Sequence, residues 1–409
     1  MHRKSHSIVR TAATTQRLTR RCRPLLLGFT ALTALSPLVA GCERSPELHL
    51  HCGGHVTTEL PVVDLELSVL WNYEITGDIA YDWRQEWLYG WDDADRSIFG
   101  ELGYTRPEAF NIRRYFTGTE PNGPHTRVLA DKIHGKSYAG TFDWGYWDLL
   151  AWNDILTVDG VQSLVFDETT LDRVIAATNQ TMRASRYNAP RFTRSFHQPE
   201  ALFSAYETAV EINRDLKGFT YDATRKVWVK NLEMQLEPRT YIYLTQVVLR
   251  HNNGKIAAVD GTATLSGMAR TVNLNTGVSG DDPISVNYQV RLKTDCTKNG
   301  EPVAIVGGRL MTFGMCGVNA SRLGRDGRKV ENYDDGIRHY MDVTMQFNNG
   351  KDSTFVFDVT RQVRRRYRGG VLTVELDMDT VPVPRRSGGS GFNAVVKDYE
   401  DGGTHEFEM

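Results

Sequence analysis

Acidic residues are missing from the start of this chain, and long apolar runs are missing from the rest of it. No aspartate or glutamate precedes Glu43, and no stretch after residue 41 is apolar over the roughly 20 residues that a membrane-spanning helix needs. Strand–helix alternation is scarce, which excludes a doubly wound α/β fold. Nucleophile-elbow and zincin patterns are absent, and Ala130 stands where a phosphate-binding loop ending at Ser137 needs glycine. The sequence therefore contains no recognisable enzyme motif.

The first 41 residues have the three parts of a secretory signal. A basic region comes first, formed by Arg3, Lys4, Arg10, Arg17, Arg20, Arg21 and Arg23. The uncharged segment 24–40 follows and ends in the string Leu38-Val39-Ala40-Gly41-Cys42. This string resembles the bacterial lipobox, so we expect cleavage between Gly41 and Cys42 and attachment of lipid to the Cys42 sulfur. The alternative is an ordinary secretory signal in which the cysteine is incidental.

Removal of this leader makes the chain acidic. Residues 1–41 hold seven of the 48 basic residues and none of the 50 acidic ones, so the remaining chain carries a net charge of −9. Nucleic acids and anionic lipid surfaces require a concentrated positive face. We therefore expect no nucleic-acid partner. We expect the membrane to be reached through lipid on Cys42, at the outer membrane, with the body on the cell surface or on the periplasmic face.

Three cysteines remain after Cys22 and Cys42. Cys296 and Cys316 lie in a strand-rich region, and outside the cytoplasm a disulfide between them is allowed. Two buried thiols are the alternative. The third cysteine belongs to a cluster of possible zinc or copper ligands, His49, His51, Cys52 and His55. A solvated stalk with incidental histidines explains this cluster more simply, and we expect neither a metal site nor another cofactor.

The mature chain is predicted to begin with a lipidated stalk over 42–60, followed by two strand-rich domains over 61–197 and 198–409. In segment 63–71, apolar and polar residues alternate with the period of two that a half-buried strand requires. Segment 341–347 has the same alternation, and many similar segments are separated by turn residues. Short strands at this spacing predict an all-β sandwich architecture.

Three local signals refine this prediction. The strings Asn252-Asn253-Gly254 and Asn348-Asn349-Gly350 each predict a hairpin, because Asn and Gly tolerate positive φ. Each string would then join the strand before it to the strand after it. A short helix is predicted at 170–179, capped by Thr169 or Thr170.

Seven of the eight tryptophans lie between residues 71 and 152. Among them, Trp83, Trp87 and Trp91 recur every four residues, which makes them candidates for an exposed platform that stacks on sugar rings or on a partner protein. The alternative is a core built from large rings. Three acidic residues follow, Asp92, Asp93 and Asp95. They lack the accompanying glycine and glutamate of a calcium loop, so they predict a solvated acidic loop.

Short motifs occur along nearly the whole mature chain, at Cys42-Glu43, Gly145-Tyr146, Leu149-Leu150-Ala151-Trp152-Asn153, Gln198-Pro199-Glu200, Leu202-Phe203, Leu265-Ser266-Gly267-Met268-Ala269, Phe357-Asp358-Val359-Thr360, Gly369-Gly370-Val371-Leu372-Thr373-Val374, Gly391-Phe392, Val396 and Asp398-Tyr399. Their order and spacing resemble a Bacteroidetes lipoprotein family of unknown function, related to fimbrial anchor subunits and fimbrillin-like proteins. The resemblance implies two tandem transthyretin-like β-sandwich domains and a surface or fimbria-associated role. It implies no enzyme activity and no catalytic residues. Segment 82–106 looks like an insertion relative to the family.

Two functional hypotheses follow from these observations. The first is a non-enzymatic adhesion or assembly subunit, an anchor or accessory of a fimbria-like fibre, which binds fimbrillin-like subunits by strand addition. The final predicted strand, Phe392 to Asp398, or an edge beside it, would accept the neighbouring strand. The alternative is a surface glycan-binding lipoprotein that uses Trp83, Trp87 and Trp91. A glycosidase with paired acids is a third hypothesis, which requires two carboxylates to converge in a cleft.

Replacement of the predicted lipid-bearing residue tests the anchor. The Cys42→Ala variant has no sulfur for the diacylglycerol, so we expect the protein to move from the detergent-extracted membrane fraction to the soluble fraction. Cell fractionation followed by immunoblotting measures this shift, and Cys52→Ala is the control because it keeps the lipobox. A Cys42→Ala variant that still requires detergent would refute lipid attachment, and so would a mass spectrum of the wild type with an unmodified Cys42 thiol.

Overall fold

A computed structural model of the chain describes residues 60–69, 82–155, 163–170, 173–179, 195–320, 336–384 and 394–396. All of these residues belong to one compact unit, Val56–Met409. Within these ranges no helix combines the length and the apolar character that crossing a membrane requires. Strands dominate and helices are few, so the fold class is all-β, as the sequence predicts.

Strands of very different lengths make up most of the described chain. The first ten are β1 (Val62–Val69), β2 (Ala109–Gly118), β3 (Arg127–His134), β4 (Ser137–Thr141), β5 (Gly145–Asn153), β6 (Leu164–Thr170), β7 (Arg173–Thr178), β8 (Ser195–His197), β9 (Phe203–Ile212) and β10 (Thr220–Asp222). The next ten are β11 (Val227–Pro238), β12 (Tyr241–Arg250), β13 (Ile256–Ala269), β14 (Thr271–Asn273), β15 (Pro283–Lys298), β16 (Glu301–Thr312), β17 (Tyr340–Phe347), β18 (Asp352–Asp358), β19 (Gly370–Asp377) and β20 (Ala394–Val396). Three helices accompany them, α1 (Trp83–Glu86), α2 (Asp93–Phe99) and α3 (Thr360–Arg365).

The first large sheet has the strand order β3-β2-β5-β9-β11-β1-β4, and β10 pairs with β11 at its margin. β1 confirms the predicted alternation, because Val63, Leu65 and Leu67 are buried whereas Glu66 and Ser68 are exposed. The buried side chains join residues of β2, β5, β9 and β11 in one apolar cluster. The sheet therefore curls around a core of its own.

The second large sheet has the order β19-β12-β16-β15-β13-β17-β18-β20, with β8 beside β15. In β17 the four apolar residues predicted to share one face, Met341, Val343, Met345 and Phe347, are all buried in the core of this sheet. The polar Asp342 and Thr344 between them are buried as well, so the strand is buried on both faces and not half-buried. Most neighbours are antiparallel, but β12 and β19 are parallel, as are β18 and β20. Parallel neighbours require a long connection, so this sheet unites segments that are remote in the sequence.

A third sheet of three strands has the order β14-β7-β6. The helix predicted at 170–179 is wrong, because Arg173–Thr178 forms β7 and pairs with both neighbours. Val174 and Ala176 point into a buried apolar cluster that also contains Val272 of β14. This burial has the period of a strand, and the long-range pairing outweighs the local capping signal.

One of the two predicted hairpins forms. β17 and β18 are antiparallel neighbours, and in the turn at 348–350 the Gly350 N–H donates to the Phe347 carbonyl at 2.8 Å. The segment 252–254 also turns, with positive φ at Asn253, but the strands on its two sides do not pair with each other. The hairpin predicted there is wrong, because β16 and β15 lie between β12 and β13 in the second sheet.

Both large sheets cross the predicted domain boundary at residue 198. β9 pairs with β5 and β11 pairs with β1, so these later strands belong to the first sheet. β8 precedes the boundary but pairs with β15 of the second sheet. The boundary between 61–197 and 198–409 therefore does not coincide with a boundary between sheets, and the division into two domains stays a prediction.

The predicted disulfide between Cys296 and Cys316 does not form. Cys296 lies on β15 opposite Val303 and packs at the margin of an apolar cluster formed by β12 and β16. Cys316 is buried in a different cluster, with Phe313 and Ala269. Each sulfur packs against its own apolar cluster. The alternative of two buried thiols is correct for Cys316, whereas Cys296 is only partly buried.

One carboxyl group of the second sheet is buried with incomplete hydrogen bonding. Asp342 of β17 is 5% exposed, and its Oδ2 accepts from the Thr264 hydroxyl at 3.2 Å. Its Oδ1 has no hydrogen-bond partner in the described chain. Burial disfavours the charged form and raises the pKa of Asp342 to about 6. The carboxyl group therefore binds a proton more readily in the folded chain than in the unfolded one.

This raised pKa makes the stability depend on pH. Because the folded pKa lies above the unfolded one, the stabilising contribution is complete below about pH 4 and is lost as the pH rises through about 6. The Asp342→Asn variant carries no such charge, so its free energy of unfolding at pH 8 should exceed that of the wild type by about 1–3 kcal/mol. Urea denaturation at pH 4, 6 and 8 measures the difference. The exposed Asp295 provides the control variant Asp295→Asn, and a gain in Asp342→Asn that does not change with pH would contradict the shifted pKa.

Candidate functional site

Several residues of the predicted sites lie outside the described residues. They are the cleavage and lipid-attachment residues and the candidate metal ligands, Gly41, Cys42, His49, His51, Cys52 and His55. Of the final strand, predicted from Phe392 to Asp398, the structure describes Ala394–Val396. The lipid anchor therefore stays a prediction. The described features that bear on function are an aromatic segment, a charged cluster and the edge of the second sheet.

The aromatic segment 82–104 covers one face of the second sheet. Trp83 and Trp87 are each 9% exposed, and Trp91 is partly buried beside them. Their rings pack on an apolar surface of β12, β16 and β19 that includes Ile242, Leu244, Val248, Ile305 and Val371. The predicted exposed platform at Trp83, Trp87 and Trp91 is therefore wrong, and the alternative of a core built from large rings is correct. The physical reason is that this sheet face is itself apolar, so both surfaces leave water together.

The aromatic segment contains two short helices, α1 and α2, and an aspartate caps the N-terminus of each. Asp82 caps α1, since its side chain accepts from the Arg84 N–H at 3.2 Å. Asp92 caps α2 and shares a capping box with Asp95, because each side chain accepts from the backbone N–H of the other, at 2.8 and 3.0 Å. An acidic residue at the N-cap with another three positions later is a sequence signal for the start of a helix. The prediction of a solvated loop at Asp92, Asp93 and Asp95 missed this signal.

A buried ion cluster fastens α2 to the second sheet. Asp95 is fully buried and accepts from Lys293 Nζ at 2.5 Å, from Arg291 Nη1 at 2.9 Å and from the Tyr89 hydroxyl at 2.8 Å. The backbone N–H of Asp95 and then Lys293 lower the pKa of Asp92, while burial and then Asp95 raise the pKa of Tyr89. The prediction of a solvated loop is wrong for Asp95, because two cations of β15 meet it there.

Gln246 of β12 ties the middle of the aromatic segment to the sheet. Its buried side chain accepts from the Leu88 N–H at 2.9 Å and donates to the Glu86 carbonyl at 2.6 Å. At the end of the segment, the Tyr104 hydroxyl donates to the Thr240 carbonyl at 2.6 Å. The segment is therefore held by polar contacts along its whole length as well as by its rings.

A charged cluster lies at the turn after β12. His251 Nδ1 lies 2.9 Å from Asp377 and 3.7 Å from Asp379, and one ligand atom of each residue falls within 4.8 Å of the others. Arg250 lies 3.3 Å from Asp377, however, and Lys255 lies 3.9 Å from Asp379. The hydrogen bond with Asp377 raises the pKa of His251. Because protein cations already balance both carboxylates, the cluster clamps the turn to the end of β19.

The edge of the second sheet ends in a short strand from the C-terminal region. β20 has three residues and pairs in parallel with 355–357 of β18. On its other side β18 pairs with β17 over all seven of its residues, Asp352–Asp358. Of the four residues of β18 outside this pairing, Ser353 and Thr354 are buried, and Asp352 and Asp358 are partly exposed. Among the described strands β20 is therefore the outermost at this end of the sheet, and an outermost strand can exchange with a strand from another chain.

Comparison with known proteins finds similar chains among solved structures. No protein-family model matches the sequence, and no curated protein matches it. A candidate adhesin from Bacteroides ovatus is 12% identical with a TM-score of 0.45, over 80% of this chain and 95% of that one. The fimbrial anchor protein Mfa2 from Porphyromonas gingivalis is 9% identical with a TM-score of 0.35, over 85% and 95%. A candidate polysaccharide-binding protein from Bacteroides thetaiotaomicron is 10% identical with a TM-score of 0.37, over 78% and 91%. These structural neighbours include a fimbrial anchor, the kind of protein that the sequence resembles.

The ion cluster predicts a large effect for one substitution on β15. Lys293→Met removes one of the two cations that contact the fully buried Asp95; because Arg291 remains, the expected loss in the free energy of unfolding is that of one charge-assisted hydrogen bond, about 1.5–3 kcal/mol. Arg96→Met is the matched control, because its pair with Asp93 is largely exposed and contributes less than about 1 kcal/mol. Urea denaturation followed by tryptophan fluorescence measures both variants. Equal effects of the two substitutions would contradict the role given to Asp95.

Proposed function

We propose that this chain is a non-enzymatic, lipid-anchored protein of the cell envelope, an anchor or accessory adhesion subunit of a fimbria-like fibre. It is an outer-membrane lipoprotein in this proposal, with two tandem transthyretin-like β-sandwiches beyond the lipid on Cys42. Its partners are fimbrillin-like subunits. The observation that supports the proposal is that β20, in parallel pairing with β18, is the outermost described strand at this end of the second sheet.

A strand from a neighbouring subunit gains main-chain hydrogen bonds when it extends along this edge. Each such bond contributes about 0.5–1.5 kcal/mol net. The described pairing of β20 with β18 is parallel, and parallel pairing is the weaker geometry per residue. A donor strand along β18 therefore competes with β20 for the main-chain hydrogen bonds. The buried rings of Phe355 and Phe357 hold β18 in place, so the edge is formed before a partner arrives.

Lipid on Cys42 supplies attachment to the cell. Stable anchoring needs more than one acyl chain, and a bacterial lipoprotein with three chains meets this requirement. The net charge of −9 after the leader opposes binding to an anionic membrane surface by charge alone. The lipid therefore carries the attachment, and the folded body stays available for other subunits.

The alternative of a glycan-binding lipoprotein that uses Trp83, Trp87 and Trp91 loses its support. These rings cannot stack on a sugar while they pack against the second sheet. The glycosidase hypothesis has no motif in the sequence to support it. Assembly through an open sheet edge requires neither exposed rings nor a catalytic pair, so it fits the described chain better.

Proline substitution in β20 tests the proposed edge. The Val395→Pro variant lacks a backbone N–H and fits poorly in a strand ladder, so β20 should detach from β18. With the mature protein as bait in an outer-membrane extract, we expect the wild type to capture a fimbrillin-like subunit. The variant should capture it about tenfold better, because roughly two hydrogen bonds no longer compete with the incoming strand. Quantitative mass spectrometry of the captured proteins measures the ratio.

Val383→Pro is the matched control for this experiment. Val383 lies outside every described strand and is 41% exposed, so proline there should leave the yield at the wild-type value. If the two proline variants captured equal amounts of the subunit, β18 would not be the contact site. If no fimbrial subunit were recovered with any of the three baits, the proposed function itself would be overturned.

A further inference from the structure

A polar cavity opens where β9 and β11 stop pairing. The two strands pair at Ser204–Glu237 and at Phe203–Pro238. Beyond these pairs β9 continues along β5 and β11 continues along β1. The strands therefore separate and leave a cavity of about 150 Å³. The turn after β14 closes one side of it with Asn275.

A fixed guanidinium group forms the base of the cavity. Arg239 is 5% exposed, and its Nε donates to the Ser204 hydroxyl at 2.7 Å. Its Nη2 donates to the Ser204 carbonyl at 3.1 Å, and its Nη1 donates to a Glu237 carboxylate oxygen at 3.3 Å. The Ser204 hydroxyl in turn donates to the Leu274 carbonyl at 2.8 Å. These contacts hold the polar groups at the base in one arrangement before any ligand enters.

A buried amide in the wall has a donor that lacks a well-formed hydrogen bond in the described chain. Asn275 Oδ1 accepts from the Val174 N–H at 3.0 Å, which fixes the orientation of the amide. Its buried Nδ2 interacts with the Tyr206 hydroxyl and opposes the rise in the pKa of Tyr206, but it makes no hydrogen bond of good geometry among the described residues. Burial of an unsatisfied donor costs folding free energy, so a hydrogen-bond acceptor bound in the cavity would remove this cost.

Two carboxylates at the mouth of the cavity can accept hydrogen bonds from a ligand. Glu207 of β9 and Glu233 of β11 line the cavity and are exposed. Neither carboxylate has an ion pair or a hydrogen bond among the described residues. The lining thus combines acceptors from two strands with donors from Arg239 and Asn275.

The chemistry of the lining selects among ligand classes. Three carboxylates face a single guanidinium group, so an anion is repelled. A bare metal ion is also a poor match, because the buried Asn275 Nδ2 is a donor, and the described ligand groups close enough for a metal lie elsewhere, at His251, Asp377 and Asp379. A hydroxyl group both donates and accepts, so a ligand with several neutral hydroxyls satisfies both kinds of lining group at once.

We propose that this cavity binds one ring of a neutral saccharide. Its volume corresponds to about five water molecules at roughly 30 Å³ each, which leaves room for a single sugar ring rather than for a chain of them. Tyr206, whose hydroxyl donates to Asp148 at 2.9 Å, adds a fixed aromatic side chain to the wall. The site is independent of the β18 edge, so either can fail without the other.

Saturation-transfer NMR with the wild-type mature protein tests this site. The probes are the methyl glycosides of glucose, galactose, mannose and N-acetylglucosamine, with methyl glucuronide as the anionic counterpart of the first. At least one neutral glycoside should receive saturation at millimolar concentration, and methyl glucuronide should receive none. No signal from any neutral probe, or an equal signal from the glucuronide, would overturn the proposal.

Three substitutions assign the signal to the cavity. Glu207→Gln and Glu233→Gln each weaken a charge-assisted hydrogen bond to a hydroxyl and should lower the affinity about tenfold. Asn275→Asp keeps the acceptor of the Val174 N–H and replaces the Nδ2 donor, so it should lower the affinity by at least a similar factor. Glu301→Gln, exposed on β16, is the control and should leave the affinity unchanged. Because the two glutamates are exposed, their variants remain informative even if Asn275→Asp fails to fold. Binding that survives in both glutamine variants, or falls equally in the control, would refute the assignment to this cavity.

Discussion

The pairing of β1 along both of its edges is the constraint on which the rest of the structure depends. β1 follows the segment that we propose as the stalk, and it bonds in parallel to β11 and antiparallel to β4. A pull along the tether would load the hydrogen bonds of both neighbours together instead of opening one pair at a time. β1 also buries Val63, Leu65 and Leu67 in the core of the first sheet. The element that would receive the load of an anchored fibre is therefore also part of the hydrophobic core.

Apolar burial and a buried ion pair contribute differently to holding the aromatic segment 82–104: burial stabilises it, and the ion pair fixes its position. Its rings remove apolar area of the second sheet from water, which stabilises the fold by about 25 cal/mol per Å². The pair of Asp95 and Lys293 contributes little net stability, because desolvation of both charges offsets most of their attraction. Its effect is on position, since Asp95 is satisfied only where β15 provides its cations. One face of the second sheet is thereby closed to partners, and the sheet edges become the places where contacts can form.

The margin of the second sheet at β20 and the polar cavity both lie where the pairing of the described strands ends. At this margin β20 is the outermost described strand, and main-chain groups of an outermost strand recognise another strand irrespective of its side chains. Between β9 and β11 the strands diverge, and side chains instead of main-chain groups face the opening. The first feature suits a protein partner and the second suits a small polar ligand. An adhesion subunit that used both would bind its fibre and its ligand at separate positions.

The sequence by itself determined the elements whose information is local. A period of two shows which side chains a strand can bury whatever its neighbours are, so β1, the apolar face of β17 and the turn at 348–350 were predictable. The predicted export signal and the predicted lipid attachment at Cys42 rest on a contiguous pattern that needs no fold. Of the candidate sites, only the final edge strand was predictable in this way.

The tertiary structure alone decided the outcomes that depend on remote segments. Trp83 and Trp87 are buried because an apolar sheet face lies against them, and Asp95 is buried where Lys293 pairs with it. β12 and β13, on the two sides of 252–254, are separated in the sheet by β16 and β15. The residues that line the cavity come from β9, from β11 and from the turn after β14. The periodicity of a segment indicates its backbone conformation. Whether its side chains are buried, and which residues they contact, depends on the distant segment that packs against it.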